Sequence, residues 1–185
     1  LKSGEEQYFV HKEYYTFIKK VRTTKTHAGL RFSGDMSNKF YEEEQNYYDE
    51  IAPKIESFEA KYKKLIFESD FKPYLEEKLG KVAFKNIELQ LKSFDDVLIP
   101  LKQEENALVS KYNKLIAQTT MEFRGETLNL SLLQKYLQSN DRATRIEASK
   151  VRDAKLLTMR EELDSIFDAL VKNRDDQAKA MNYKD

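Results

Sequence analysis

Tyr47-Tyr48-Asp49-Glu50-Ile51-Ala52-Pro53-Lys54-Ile55-Glu56-Ser57-Phe58-Glu59-Ala60-Lys61-Tyr62-Lys63-Lys64-Leu65 is the run on which the fold turns. Its members Tyr48, Ile51, Ile55, Phe58, Tyr62 and Leu65 recur at steps of three and four residues. That periodicity sets them on one helical stripe, the seam of closely packed, nearly antiparallel helices. Pro53 interrupts the pattern because it has no N–H for the carbonyl one turn back, so a kink at 49–52 or two helices meeting there is expected. Asp35 or Ser37 is the expected cap at its start.

Composition points the same way. Of 185 residues, 35% are charged, and Gly and Pro contribute only five and three. Such a mixture favours long amphipathic helices with wetted outer faces. The 32 basic and 32 acidic residues cancel, so nucleic acid is not an expected partner. Cysteine is absent, which excludes disulfides, thiolate metal ligands and a cysteine nucleophile. No apolar run approaches the ~20 residues that span a bilayer, and the start lacks the apolar core of a signal peptide, so no membrane partner and a cytoplasmic location are expected. Leu1 in place of Met reads as processing or excision.

Working outward, Val10, Tyr14, Phe17, Ile18 and Val21 form a stripe on a first helix over 5–23. Thr23 to Gly34, with Gly29, reads as a loop pinned by Leu30 and Phe32. Asp70 to Leu79 reads as a short helix capped by Asp70, with Pro73 in its first turn and Gly80 ending it. Phe84, Ile87, Leu91 and Phe94 make another stripe, and Pro100 opens a helix through Leu101, Leu108, Tyr112, Leu115 and Ile116. The one β signal lies at 119–130: Met121, Phe123, Leu128 and Leu130 share a face, with Arg124 to Thr127 as the turn. An isolated hairpin is marginal in water, so that face must lie on a helix. Ser131 is expected to cap a short helix to Leu137, and Ser139 or Asn140 a long last helix to about Met181, with Leu156, Leu163, Ile166, Phe167 and Leu170 inward. The predicted fold is all-α: one helical region over 1–185 with a small antiparallel hairpin.

Few residues suggest chemistry. Adjacent carboxylates such as Glu104-Glu105 point about 100° apart on a helix and read as solvated faces. His11 has Tyr15, not a second ligand, one turn on, and reads with His27 as a surface or loop histidine. Asp141-Arg142-x-x-Arg145 is the one structural motif singled out. Asp141 suits the positive end of a helix dipole, and the two arginines do not. Arg142 and Arg145 are expected to tie the last helix to Glu104 and Glu105. The tyrosines, with doublets at 14–15 and 47–48, read mainly as packing residues.

One order of motifs spans the carboxyl-terminal half. Glu104-Glu105-x-x-Leu108-x-x-x-Tyr112-x-x-Leu115 precedes Met121 to Glu126 and Leu128-x-Leu130-x-x-Leu133. Ser139-Asn140-Asp141-Arg142-x-x-Arg145, Leu163-Asp164-x-Ile166-Phe167-x-x-Leu170-Val171-x-x-Arg174 and Ala178-x-x-x-Asn182-Tyr183 follow. This order resembles the helical amino-terminal region of the oligoendopeptidase F family of zinc metallopeptidases, clearly from Glu104 to Tyr183 and more weakly from Tyr41 to Phe94. Where the family commonly has glycine, this chain has Asn182, the usual second choice for a left-handed helix end. The resemblance implies a larger peptidase that cuts short peptides with zinc, to which this region contributes channel cover but no catalytic, metal or cofactor residue. The family's H-E-x-x-H motif is absent from this sequence. The implied partner is a catalytic part of the same polypeptide, and the surface that part would cover could pair two copies. A non-enzymatic helical scaffold is the alternative from another class.

Overall fold

In the computed structural model, which describes residues 2–183, the chain is all-α apart from one hairpin. Helices α1 (Gly4–Gly34), α2 (Lys39–Phe67), α3 (Lys72–Leu79) and α4 (Lys81–Lys92) are followed by a 3₁₀ turn at Asp96–Leu98 and by α5 (Ile99–Ala117). Strands β1 (Thr120–Phe123) and β2 (Glu126–Asn129) then lead to α6 (Leu130–Leu137), α7 (Arg142–Thr158) and α8 (Arg160–Ala180). Two compact units are distinguished: Leu1–Glu104 with Asp175–Asp185, and Glu105–Arg174.

In the first unit α1 is longer than its sequence suggests. The expected loop over 23–34 is helix, because Thr24 and Thr26 turn their hydroxyls onto the carbonyls of Lys20 and Arg22 and so do not break the ladder. Ala28 and Phe32 bury against neighbours, and Arg31 forks onto Glu44 at 2.5–2.9 Å, holding the last turns to α2. Leu30 points outward instead of pinning anything.

Helix α2 is continuous through Pro53, so two helices do not meet there, and Pro53 itself is fully buried. The N-cap is Asn38, whose Oδ1 accepts from the amides of Phe40 and Tyr41. Asp35 instead accepts from Ser37, and Ser37 caps nothing. The buried stripe is also rotated from the expected seam. Ala52, Glu59 and Ile66 are buried with Ile55 and Tyr62 beside them, while Phe58 and Leu65 remain 72% and 69% exposed. Ile66, Leu75 and Phe84 form the core where α2, α3 and α4 meet, joined by Tyr8, Tyr62 and Ile87. Gly80, at φ +92°, ends α3 and starts α4 without a side-chain cap; Asp70 does not cap α3.

The second unit is built on the hairpin. Met121 pairs with Leu128 and Phe123 with Glu126, which leaves a two-residue loop of Arg124 and Gly125, narrower than expected. Both have positive φ, +52° and +83°, the geometry of a type I′ turn that matches strand twist. The apolar face falls where alternation put it. Met121, Phe123 and Leu128 bury with Leu133 of α6 and Ala148 of α7, and Leu130 packs alongside. Asn129, not Ser131, caps α6 through the Leu132 amide at 2.8 Å.

The expected single last helix is two helices. Thr158 returns its hydroxyl to the Lys155 carbonyl at 2.6 Å, Met159 leaves helical geometry, and α8 restarts with Glu161 and Glu162 in its first turn. Ile166 is buried, but Phe167 is 66% exposed and not inward. At its end Asn182 takes φ +60°, Tyr183 N donates to Ala178 O at 2.9 Å and Asn182 N to Lys179 O at 3.0 Å. This is the Schellman closure for which asparagine is the expected substitute for glycine.

Leu133 has no exposed surface and sits at the centre of the hairpin core. Leu133→Ala is expected to lower unfolding free energy by ~2–5 kcal/mol in a urea titration, whereas the exposed Leu132→Ala should change it by less than ~1 kcal/mol.

Candidate functional site

Among the described residues, three places bear most on function, each within one unit. The first is the singled-out motif at the start of α7. Asp141 Oδ2 accepts from Thr144 N at 2.9 Å and Thr144 Oγ1 at 2.7 Å, and Oδ1 accepts from Ala143 N at 3.3 Å. These donors, the Thr144 hydroxyl foremost, hold its carboxyl below the usual range. Arg145 Nη1 donates to the carbonyls of Ser139 at 2.7 Å and Asn140 at 3.0 Å, and Arg142 is exposed. Arg145 thus spends its guanidinium on its own loop rather than on the expected tie to Glu105. Glu105 instead accepts from Arg174 Nε at 2.8 Å. Arg124, not singled out from the sequence, completes the constellation: it donates to Thr144 Oγ1 at 2.9 Å and to Glu147 at 2.8 Å, locking the hairpin turn to α7. The only signal for it was a long cation in a left-handed turn position, where side chains are re-aimed.

The second place is a polar seam between α1 and α2. Glu59, only 7% exposed, accepts both arms of the Arg22 guanidinium, Nε at 3.2 Å, and Lys63 Nζ approaches at 3.3 Å. Tyr14 stacks on Tyr62 with centroids 3.5 Å apart, and the Tyr62 hydroxyl is hydrogen-bonded to His11 Nδ1 at 3.0 Å. Burial pushes both phenols up to about 12, with Glu59 adding to the effect on Tyr14, and burial lowers the His11 pKa. The Tyr14 hydroxyl is buried without a hydrogen-bond partner.

The third place is an open groove of about 870 Å³ in the second unit. Leu130, Leu137, Leu156, Leu163, Ile166 and Phe167 supply its apolar wall, and Tyr112, Gln134, Arg152, Asp153 and Asp164 its polar edge. Arg152 is held by Asp153 at 2.8 Å, and Asp164 by Arg160 at 3.3 Å. The groove offers shape and aromatic surface, and no nucleophile paired with a base.

Zinc finds no seat among the described residues. His11 is engaged by Tyr62, His27 lies exposed further along the same helix, and no group of three or more His, Asp or Glu is gathered. Nor is any described helix long and apolar enough to cross a membrane.

Residues 1–94 match the profile of the peptidase M3 N-terminal domain. The whole chain superposes on a crystal structure from Bacillus anthracis str. Ames, provisionally assigned as an oligoendopeptidase F, with a TM-score of 0.96 and 34% identity. A second provisionally assigned oligoendopeptidase F gives 0.95 and 32% over 99% of the chain. PZ peptidase A, solved with an inhibitor, gives 0.95 and 32% over 100%. No curated protein matches. The chain belongs to the peptidase M3 N-terminal domain family. It spans about a third of the length of the solved structures it matches, 34%, 32% and 33% respectively. The family profile falls on the amino-terminal half, where the sequence resemblance was the weaker.

Two outcomes test the polar seam. Tyr14→Phe removes a buried hydroxyl that lacks a partner, so stability should stay level or rise by ~1 kcal/mol in urea unfolding. His11, with a lowered folded pKa, stabilises the fold above its unfolded value of 6.5, and that contribution is lost as pH falls through the folded pKa. Between pH 7 and 5.5 the urea midpoint should therefore fall more steeply for the native chain than for His11→Asn.

Proposed function

We propose that residues 1–185 form one helical region of a larger cytoplasmic zinc metallo-oligoendopeptidase, where they cover the substrate channel and limit entry to short, flexible peptides. The observation that carries this reading is superposition along the whole chain at 34% identity on an oligoendopeptidase F-like structure about three times as long. In that setting the catalytic part of the same polypeptide is the partner, and short peptides are the substrate. Zinc would belong to that part, where bound water becomes the nucleophile. This chain's own contribution is wall and positioning. The apolar groove bordered by Tyr112 and Gln134 suits an extended segment that needs both contact area and a few hydrogen bonds. A scaffold reading is less well supported, since a rod has no need of a hairpin core sealed by two short helices. Surface that a catalytic part would cover is available for self-association in its absence.

The test is direct. The purified 185-residue chain should hold no stoichiometric zinc by elemental analysis and should not hydrolyse quenched fluorescent peptides. Chelator-sensitive hydrolysis by the pure chain would overturn the reading. So would genomic sequence beyond the Asp185 codon that lacks an H-E-x-x-H-encoding frame.

A further inference from the structure

Helix α2 carries a second apolar face that its own unit does not use. Phe40, Tyr47, Phe58 and Leu65 are exposed by 65%, 60%, 72% and 69%. They are spaced seven, eleven and seven residues apart. At about 100° per residue, both intervals close to within ~20° of whole turns, so the four side chains form one straight row ~37 Å long. The row reads the same from either end.

The charges beside it do not read the same from either end: they invert. Glu43 and Glu50 lie on one flank in the first half of the row, and Lys54 and Lys61 lie on the same flank in the second half. All four are exposed. We propose that this face is a self-complementary interface on which a second copy of the chain docks antiparallel, about a two-fold axis normal to the helix pair. Such an axis reverses the ends of the helix and keeps each flank on its own side. Phe40 then meets the partner's Leu65, and Tyr47 the partner's Phe58. Glu43 comes level with the partner's Lys61, and Glu50 with the partner's Lys54, each within one residue, or ~1.5 Å of rise. A parallel pairing, about an axis along the helices, would instead carry the two charged flanks to opposite sides, where these glutamates and lysines do not meet.

The existing partners of these charges do not oppose the exchange. Lys54 meets Glu50 at 3.2 Å and Lys61 meets Asp96 at 3.1 Å, exposed pairs of the kind that contribute little. A strip ~37 Å by ~10 Å is small against the ~800 Å² per partner of a standard interface, so the dimer is expected to be weak and concentration-dependent. This specifies the face for the self-association named above, yet it does not depend on the peptidase reading. Its failure would leave that reading intact.

Sedimentation velocity of the purified chain between ~1 and ~300 µM is expected to show a concentration-dependent dimer. Phe58→Glu should weaken it at least ~tenfold, and Tyr47→Lys repeats the test at an independent position. Lys61→Glu should weaken it ~fivefold at low salt, and Glu43→Lys combined with Lys61→Glu should bring it back to within ~threefold of the native chain. Circular dichroism checks that these surface variants keep their helices. Monomer at every concentration, as expected if this face serves another part of a longer chain, would overturn the proposal. So would a dimer indifferent to Phe58→Glu, or a charge swap that restores nothing.

Discussion

The first unit depends on one constraint: Glu59 is buried in the face of α2 that meets α1, and a carboxylate there must be answered. Arg22 answers it with both arms, and Lys63 closes on the same carboxylate from one turn along α2. Because the guanidinium fork fits a carboxylate in only one plane, this pairing fixes the register of α1 on α2 more sharply than apolar contact would. The Tyr14–Tyr62 stack and the His11–Tyr62 hydrogen bond lie on the same helix faces and are consistent with that one register. Further along, the Arg31–Glu44 fork repeats the device and draws the last turns of α1 onto α2. Ionic pairs with a defined geometry therefore do for these two long helices what a seam of branched aliphatic residues does in a coiled coil.

The second unit solves a different problem. A two-stranded hairpin cannot bury both faces, and here one face is closed by α6 and α7 while the turn is tied down by Arg124. The cap of α7 and the anchor of the turn share Thr144, whose hydroxyl donates to Asp141 and accepts from Arg124. A residue unremarkable in sequence thus joins a helix start to a strand turn.

What was legible in the sequence follows from range. The hairpin, its apolar face, the short helix ended by Gly80 and the left-handed Asn182 were all readable, because each is decided by residues within a few positions of one another. Caps were placed one to three residues off, since Asn38, Asn129 and Asp141 stand among other residues equally able to cap. The run at 23–34 was misread because threonine and glycine weaken a helix in isolation, whereas long-range burial of Ala28 and Phe32 decides the matter here. The break at Met159 was hidden by an unbroken apolar period, although the acidic pair at 161–162 marked a new amino terminus. Arg124 was missed for the opposite reason. Its partners lie 20 and 23 residues away, and nothing local encodes them.

The displaced seam of α2 has a further meaning. Phe58 and Leu65 fit a helical apolar period as well as Ile55 and Ile66 do, and the period alone does not say which set faces α1. The buried glutamate decides, by claiming the face opposite Arg22. The residues left over are then not noise in the pattern. Helix α2 has one face covered within this unit, by α1, α3 and α4, and a second apolar row that the unit leaves exposed. Scattered exposed apolar residues need no explanation, but four aligned along one helix, flanked by charges that invert about its midpoint, form a surface with a direction and a register. Its presence beside a carefully neutralised Glu59 argues that α2 is a shared wall, with one side closed by its own chain and the other kept for contact.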